Sequence, residues 1–122
     1  MNNKRRKALY SAINEIERVI GEIESQSSEI INNEESRASF SETINGIAED
    51  IYDVLDDEQF AYDNLPENFQ YSDRGETMYD NIDALESCQS DIEDAAFEIE
   101  KGNLDKAVQL LKSAISYSED VQ

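Results

Sequence analysis

A chain of 122 residues fits one domain with a core of modest size. Its net charge of −19 opposes direct binding to nucleic acid. The absence of histidine removes the commonest general base, the Ser-His and Cys-His pairings and most zinc sites.

Residues 3–33 read as one long helix. Leu9, Ile13, Ile16, Ile20, Ile23 and Ile30 follow steps of three, four and seven, a heptad seam that Ser27 interrupts. Such a seam serves a bundle within one chain or a homodimer through this helix, and the spacing alone leaves both open. Lys4, Arg5, Arg6 and Lys7 form a basic tetrad at its start. A frayed end or a clasp onto the chain's own acids is expected there ahead of a nucleic-acid arm.

The polar stretch 32–39 is expected to turn. Ser39 followed by Glu42 has capping-box spacing and predicts a second helix over 39–63. Phe40, Ile44, Ile47, Ile51, Val54, Leu55 and Tyr62 share its core face. Pro66 places Leu65 at or past its end. Leu65, Phe69 and Tyr71 of the following loop are expected to cap one end with apolar contacts, with partner anchoring as the rival role. Ser72 is the expected cap of a third helix over 73–101, with Met78, Ile82, Leu85, Ile92, Ala96 and Ile99 facing the core. Gly102 and Asn103 read as a glycine stop and an asparagine cap before a fourth helix over 103–119. The sum is an all-α fold, an elongated antiparallel bundle of three to four helices with coiled-coil-like packing.

The chain shows no secretory leader and no run of apolar residues long enough for a membrane span. Its lone Cys88 reads as a buried reduced thiol. These features predict a cytoplasmic protein with no membrane association. There is no Gly-rich phosphate loop, and the aspartates lack the alternation of a calcium loop. No catalytic residue, metal site or cofactor is expected, and the chain is not read as an enzyme.

Residues 38–100 hold 19 acidic residues against Arg74 alone, a net −18. At 100° per residue from Met78, Glu76, Asp80, Asp83, Asp91, Asp94 and Glu98 fall at about 140–220°, directly opposite the expected core. On the second helix, measured from Phe40, Glu42, Glu49, Asp53, Asp56 and Asp63 occupy the same sector, and Phe60 lands among them. Two acidic stripes with almost no lysine resemble the charge line that DNA shows to a basic groove. A solvated face that only aids solubility is the competing reading.

The stretch DDEQFAYDNLPENFQYSDRGETMYDNIDALE, residues 56–86, resembles a motif of small acidic helical proteins of phages and prophages in Gram-positive bacteria. Those proteins show an acidic run, then D-N-L/M-P-E, then Q-x-S-x-R-G-E and a long acidic helix. The resemblance implies a phage context. In that context acidic helical proteins often block host defence proteins that bind DNA, so the expected function is that of an anti-CRISPR or another anti-defence inhibitor. Its partner is a basic DNA-binding protein of the host cell, such as a CRISPR nuclease or restriction enzyme, met through the acidic stripes, Phe60, Phe69 and Tyr71. A self-associating scaffold, or an adaptor for phage replication proteins, is the alternative.

Overall fold

A computed structural model describes residues 1–122, and every regular element in it is helical. The order is α1 (Asn3–Ser25), α2 (Ser27–Ile31), α3 (Glu34–Asp63), α4 (Glu67–Gln70), α5 (Asp73–Glu100) and α6 (Leu104–Glu119). No helix is long and apolar enough to cross a membrane.

The first predicted helix is broken in two at Gln26. Serine-rich sequence causes the break, because serine hydroxyls compete for backbone groups. Ser25 Oγ donates to the Glu22 carbonyl at 3.1 Å. The second predicted helix begins earlier than expected. Asn33, not Ser39, caps α3 by accepting from the Ser36 amide at 3.1 Å. Ser39 and Glu42 therefore lie within the helix. Asn64 ends α3 before Pro66, as the proline requires, and Ser72 caps α5 by accepting from the Gly75 amide. Gly102 adopts φ 86°, a left-handed conformation that stops the chain after α5. Asn103 does not cap α6; its side-chain amide donates to Glu98 Oε2 at 2.7 Å instead.

The core is one continuous cluster drawn from α1, α2, α3, α5 and α6. Leu9, Ile16, Ile20, Ile23 and Ile30 of the heptad seam are buried in it, with Val19 and Ala12 beside them. The seam is thus consumed within the chain. Each fully buried isoleucine contributes about 2–3 kcal/mol of transfer free energy. The most extensive interface joins α3 to α5; α5 also packs on α6, and α1 lies against α3 and α6.

Two polar clusters tie the ends. At one end Arg37 reaches the last carbonyls of two helices. Its Nη1 donates to the Ile31 carbonyl at 2.5 Å, and its Nε to that of Glu100 at 3.2 Å. A cation suits both helix C-termini. At the other end the Asn81 side chain exchanges two hydrogen bonds with the Gln122 backbone at 2.8 and 2.9 Å, and donates to Glu58 at 3.2 Å. Glu58 is fully buried and faces Arg5 at 3.4 Å. The basic tetrad thus acts through Arg5 as a clasp on an internal acid. These contacts place the start of α1 with the end of α3, and the end of α3 with the start of α5. Successive long helices therefore run in opposite directions.

The 64–72 segment departs from the expected apolar cap. Phe69 and Tyr71 are exposed, Leu65 is half-buried, and Gln70 closes the end. Its amide donates to the Tyr62 and Leu65 carbonyls at 3.4 and 3.3 Å. Gly75 is buried where α5 meets α4. A Cβ there would lie 2.5 Å from the Phe69 carbonyl oxygen and closer still to that of Gln70.

Gly75→Ala is expected to destabilise the protein by about 1–3 kcal/mol through that overlap. Gly46→Ala, with nothing within 4 Å of the new Cβ, should stabilise by about 0.5–1 kcal/mol. Urea unfolding of both variants tests the contrast, and equal effects would contradict it. Arg5→Leu should cost about 3 kcal/mol by stranding Glu58, whereas Arg5→Leu combined with Glu58→Leu should cost much less. The same unfolding measurement decides this, and a double variant as unstable as the single one would remove the pairing.

Candidate functional site

The long helices hold the acids on rigid backbones. On α3, Glu42, Glu49, Asp53, Asp56 and Asp63 are all exposed, and so is Phe60. On α5, Glu76, Asp80, Asp83 and Asp94 are exposed as well. None of these carboxylates has a lysine or arginine within 4.0 Å, because the ion pairs of the chain involve only Glu15, Glu22, Glu58 and Glu98. Asp63 accepts a hydrogen bond from Gln59 at 2.9 Å. Like charges at i,i+3 and i,i+4 repel by a few tenths of a kcal/mol per pair, so these rows cost the helices stability.

Two residues of the α5 stripe are not on the open face. Glu98 is buried, and Asp91 is half-buried with Oδ2 shut away from solvent and without a hydrogen bond. α5 packs against α6 as well as α3, and Lys106 of α6 lies beside Glu98. Ala84, Cys88 and Ala95 of α5 are buried too, a second stripe of small residues at steps of four and seven. Alanine and cysteine suit a solvated side and a packed side alike, so those steps did not by themselves mark α5 as having two packed sides. Cys88 is buried as expected, and burial, followed by nearby Asp91, pushes its thiol pKa up to about 12.

Glu98 is engaged inside the fold. Asn103 donates to it, and the Lys106 and Lys101 ammonium groups lie 3.6 and 3.8 Å from Oε1. The hydrogen bond from Asn103 chiefly, with the two lysines adding to it, holds the carboxyl below the ordinary glutamate range against the opposing effect of burial.

The rows border three grooves. Glu49 and Asp53 of α3 share one of about 480 Å³ with Tyr52 and with Gln89 and Glu93 of α5. Asp80 and Asp83 of α5 share one of about 500 Å³ with Tyr117, Glu119 and Asp120 at the end of α6. Asp50, Asp53 and Asp57 line a third, of about 300 Å³, with Lys4 and Arg5 of α1. The α5 row thus adjoins α6, while the α3 row meets α5 through Glu93. Sequence reasoning missed Glu93, Glu119 and Asp120, because each joins the surface across a helix–helix boundary and not along its own helix.

Phe60 is 72% exposed and Tyr71 80% exposed. Phe69, Tyr79, Tyr52 and Phe97 are also exposed. The acidic surface is therefore interleaved with aromatic rings, an arrangement suited to a partner that offers cations and flat side chains.

Because the Glu98 pKa is lowered, its anchoring of residues 101–103 is complete above the ordinary value of 4.5 and is lost as pH falls through the lowered one. A carboxyl-carbon NMR titration should place the Glu98 midpoint below 4.5, with the Asn103 side-chain amide shifting in parallel. A midpoint at or above that value would contradict the contact.

No family model, no curated protein and no solved structure matches the chain.

Proposed function

We propose that this protein is a phage-encoded inhibitor of a host defence protein that binds DNA, a CRISPR nuclease or a restriction enzyme, and that its carboxylate rows stand in for DNA phosphates. The observation that carries the reading is the set of unpaired carboxylates on α3 and α5. Uncompensated acids weaken a helix, and interspersed lysines would remove that cost. Neighbouring carboxylates at i,i+3 and i,i+4 have Cβ atoms about 5–6 Å apart, of the same order as successive phosphates on a strand. The frame is read as an elongated antiparallel bundle with coiled-coil-like packing, stiff enough to hold that spacing. Attraction to a basic channel would speed association and weaken with salt. The phage setting comes from the likeness of residues 56–86 to phage proteins. The partner-binding set is Glu49, Asp53, Asp56, Asp63, Glu76, Asp80, Asp83 and Asp94, with Phe60, Phe69 and Tyr71. Asp91 and Glu98 leave it because Asp91 is half-buried and Glu98 is buried.

The test is capture of partners from a bacterial lysate containing CRISPR or restriction enzymes, with and without competing duplex DNA. A DNA-binding enzyme should be retained, and DNA should displace it. The combined variant Asp53→Lys, Asp83→Lys, Asp94→Lys should stay helical by circular dichroism and retain none. Unchanged capture by that variant, or recovery of the protein's own copies alone, would defeat the proposal.

A further inference from the structure

Where α3 gives way to α4 and α5 begins, a cavity of about 380 Å³ is lined by Tyr62, Gln70, Tyr71, Glu76, Tyr79 and Asp80. The Tyr62 and Tyr79 ring centroids are 6.2 Å apart, with the planes inclined at 57°. Tyr71 is 80% exposed, so its ring is not serving the core. Glu76 and Asp80, one helical turn apart, are both exposed and carry no ion pair. No lysine or arginine lines the cavity. The Gln70 amide is spent on the Tyr62 and Leu65 carbonyls and is not free to fill it.

Three aromatic rings and two carboxylates lining one cavity define a ligand by charge. The face of an aromatic ring is electronegative and attracts a cation. The carboxylates add a second attraction of the same sign and accept hydrogen bonds. The chain already makes one such contact within itself, Lys101 Nζ lying 4.5 Å from the centre of the Phe97 ring. The walls are held from behind. Ser72 caps α5, and Gly75 lets the helix start against the Phe69 and Gln70 carbonyls, which seats Tyr71 beside the first turns of α5.

A quaternary ammonium would satisfy the rings and leave both carboxylates without donors. A lysine ammonium donates to them but has no plane to stack. A guanidinium does both. We propose that this cavity is the receptor for an arginine side chain of the partner protein. The choice of a protein as the source rests on the basic partner argued above.

The probe is the peptide acetyl-Gly-Arg-Gly-amide, titrated into the full chain and followed by tyrosine ring resonances in NMR. The lysine counterpart and tetramethylammonium serve as the other arms. Saturable shifts are expected at Tyr62, Tyr71 and Tyr79, and not at Tyr10, Tyr52 or Tyr117. Tyr71→Ala and Tyr79→Ala should each weaken binding about 3- to 10-fold, and Tyr79→Phe, which keeps the ring, should restore it. Shifts spread evenly over the six tyrosines, or alanine variants that bind like the parent, would overturn the assignment. Tetramethylammonium binding as tightly as the arginine peptide would overturn it too, in favour of a small-cation pocket. The titration uses no partner protein, and the lysine variants used for capture spare the cavity. Failure here therefore leaves the capture result standing, and failure of capture leaves the cavity standing.

Discussion

α5 is held on two sides at once, and the rest of the molecule is arranged around that fact. α5 packs against both α3 and α6, with Leu85, Ile92, Ala96 and Ile99 buried along one stripe and the smaller Ala84, Cys88 and Ala95 buried along another. Ala107, Leu111 and Ala114 of α6 are fully buried as well. Burial of apolar area at roughly 25 cal/mol per Å² is what a chain this acidic has to set against its own repulsion.

The polar clusters act at the ends of that core. Arg37 satisfies carbonyls that the ends of α2 and α5 leave without intrahelical partners, with one side chain serving both. At the opposite end Glu58, Asn81 and Arg5 put a charge pair and an amide into a buried position. A buried pair of this kind adds little net stability and penalises any other arrangement of the helices that meet there, because each alternative leaves a charge stranded. The helix order is thus secured by polar geometry at the ends, while the apolar middle supplies the driving force.

The outward charge follows from this partition. The basic residues near the helix junctions are largely engaged: Arg5 with Glu58, Arg37 with carbonyls, Lys101 and Lys106 with Glu98. The carboxylates along the middle of α3 and α5 are left without partners. A surface of bare carboxylates set among exposed tyrosine and phenylalanine rings is fitted to cationic side chains, and one cavity is lined by Tyr62, Tyr71 and Tyr79 together with Glu76 and Asp80.

The sequence by itself determined the helical class, the apolar face of each long segment, the stop at Asn64 before Pro66, the Ser72 cap and the turn at Gly102. These follow from spacing and from residues whose backbone chemistry is local. It also determined the exposed α3 row, because α3 leaves one side to solvent. Only the tertiary structure decided that α5 has two packed faces, which hides Glu98 and half-buries Asp91. It likewise decided that Gln70 and not Phe69 closes the end, and that acids of α6 join those of α5. The reason is physical. Periodicity reports which residues of a helix are apolar, but exposure depends on how many neighbours the helix has, and alanine, cysteine and serine are compatible with either surroundings. A carboxylate among such residues is solvated or buried according to a helix that arrives from elsewhere in the chain.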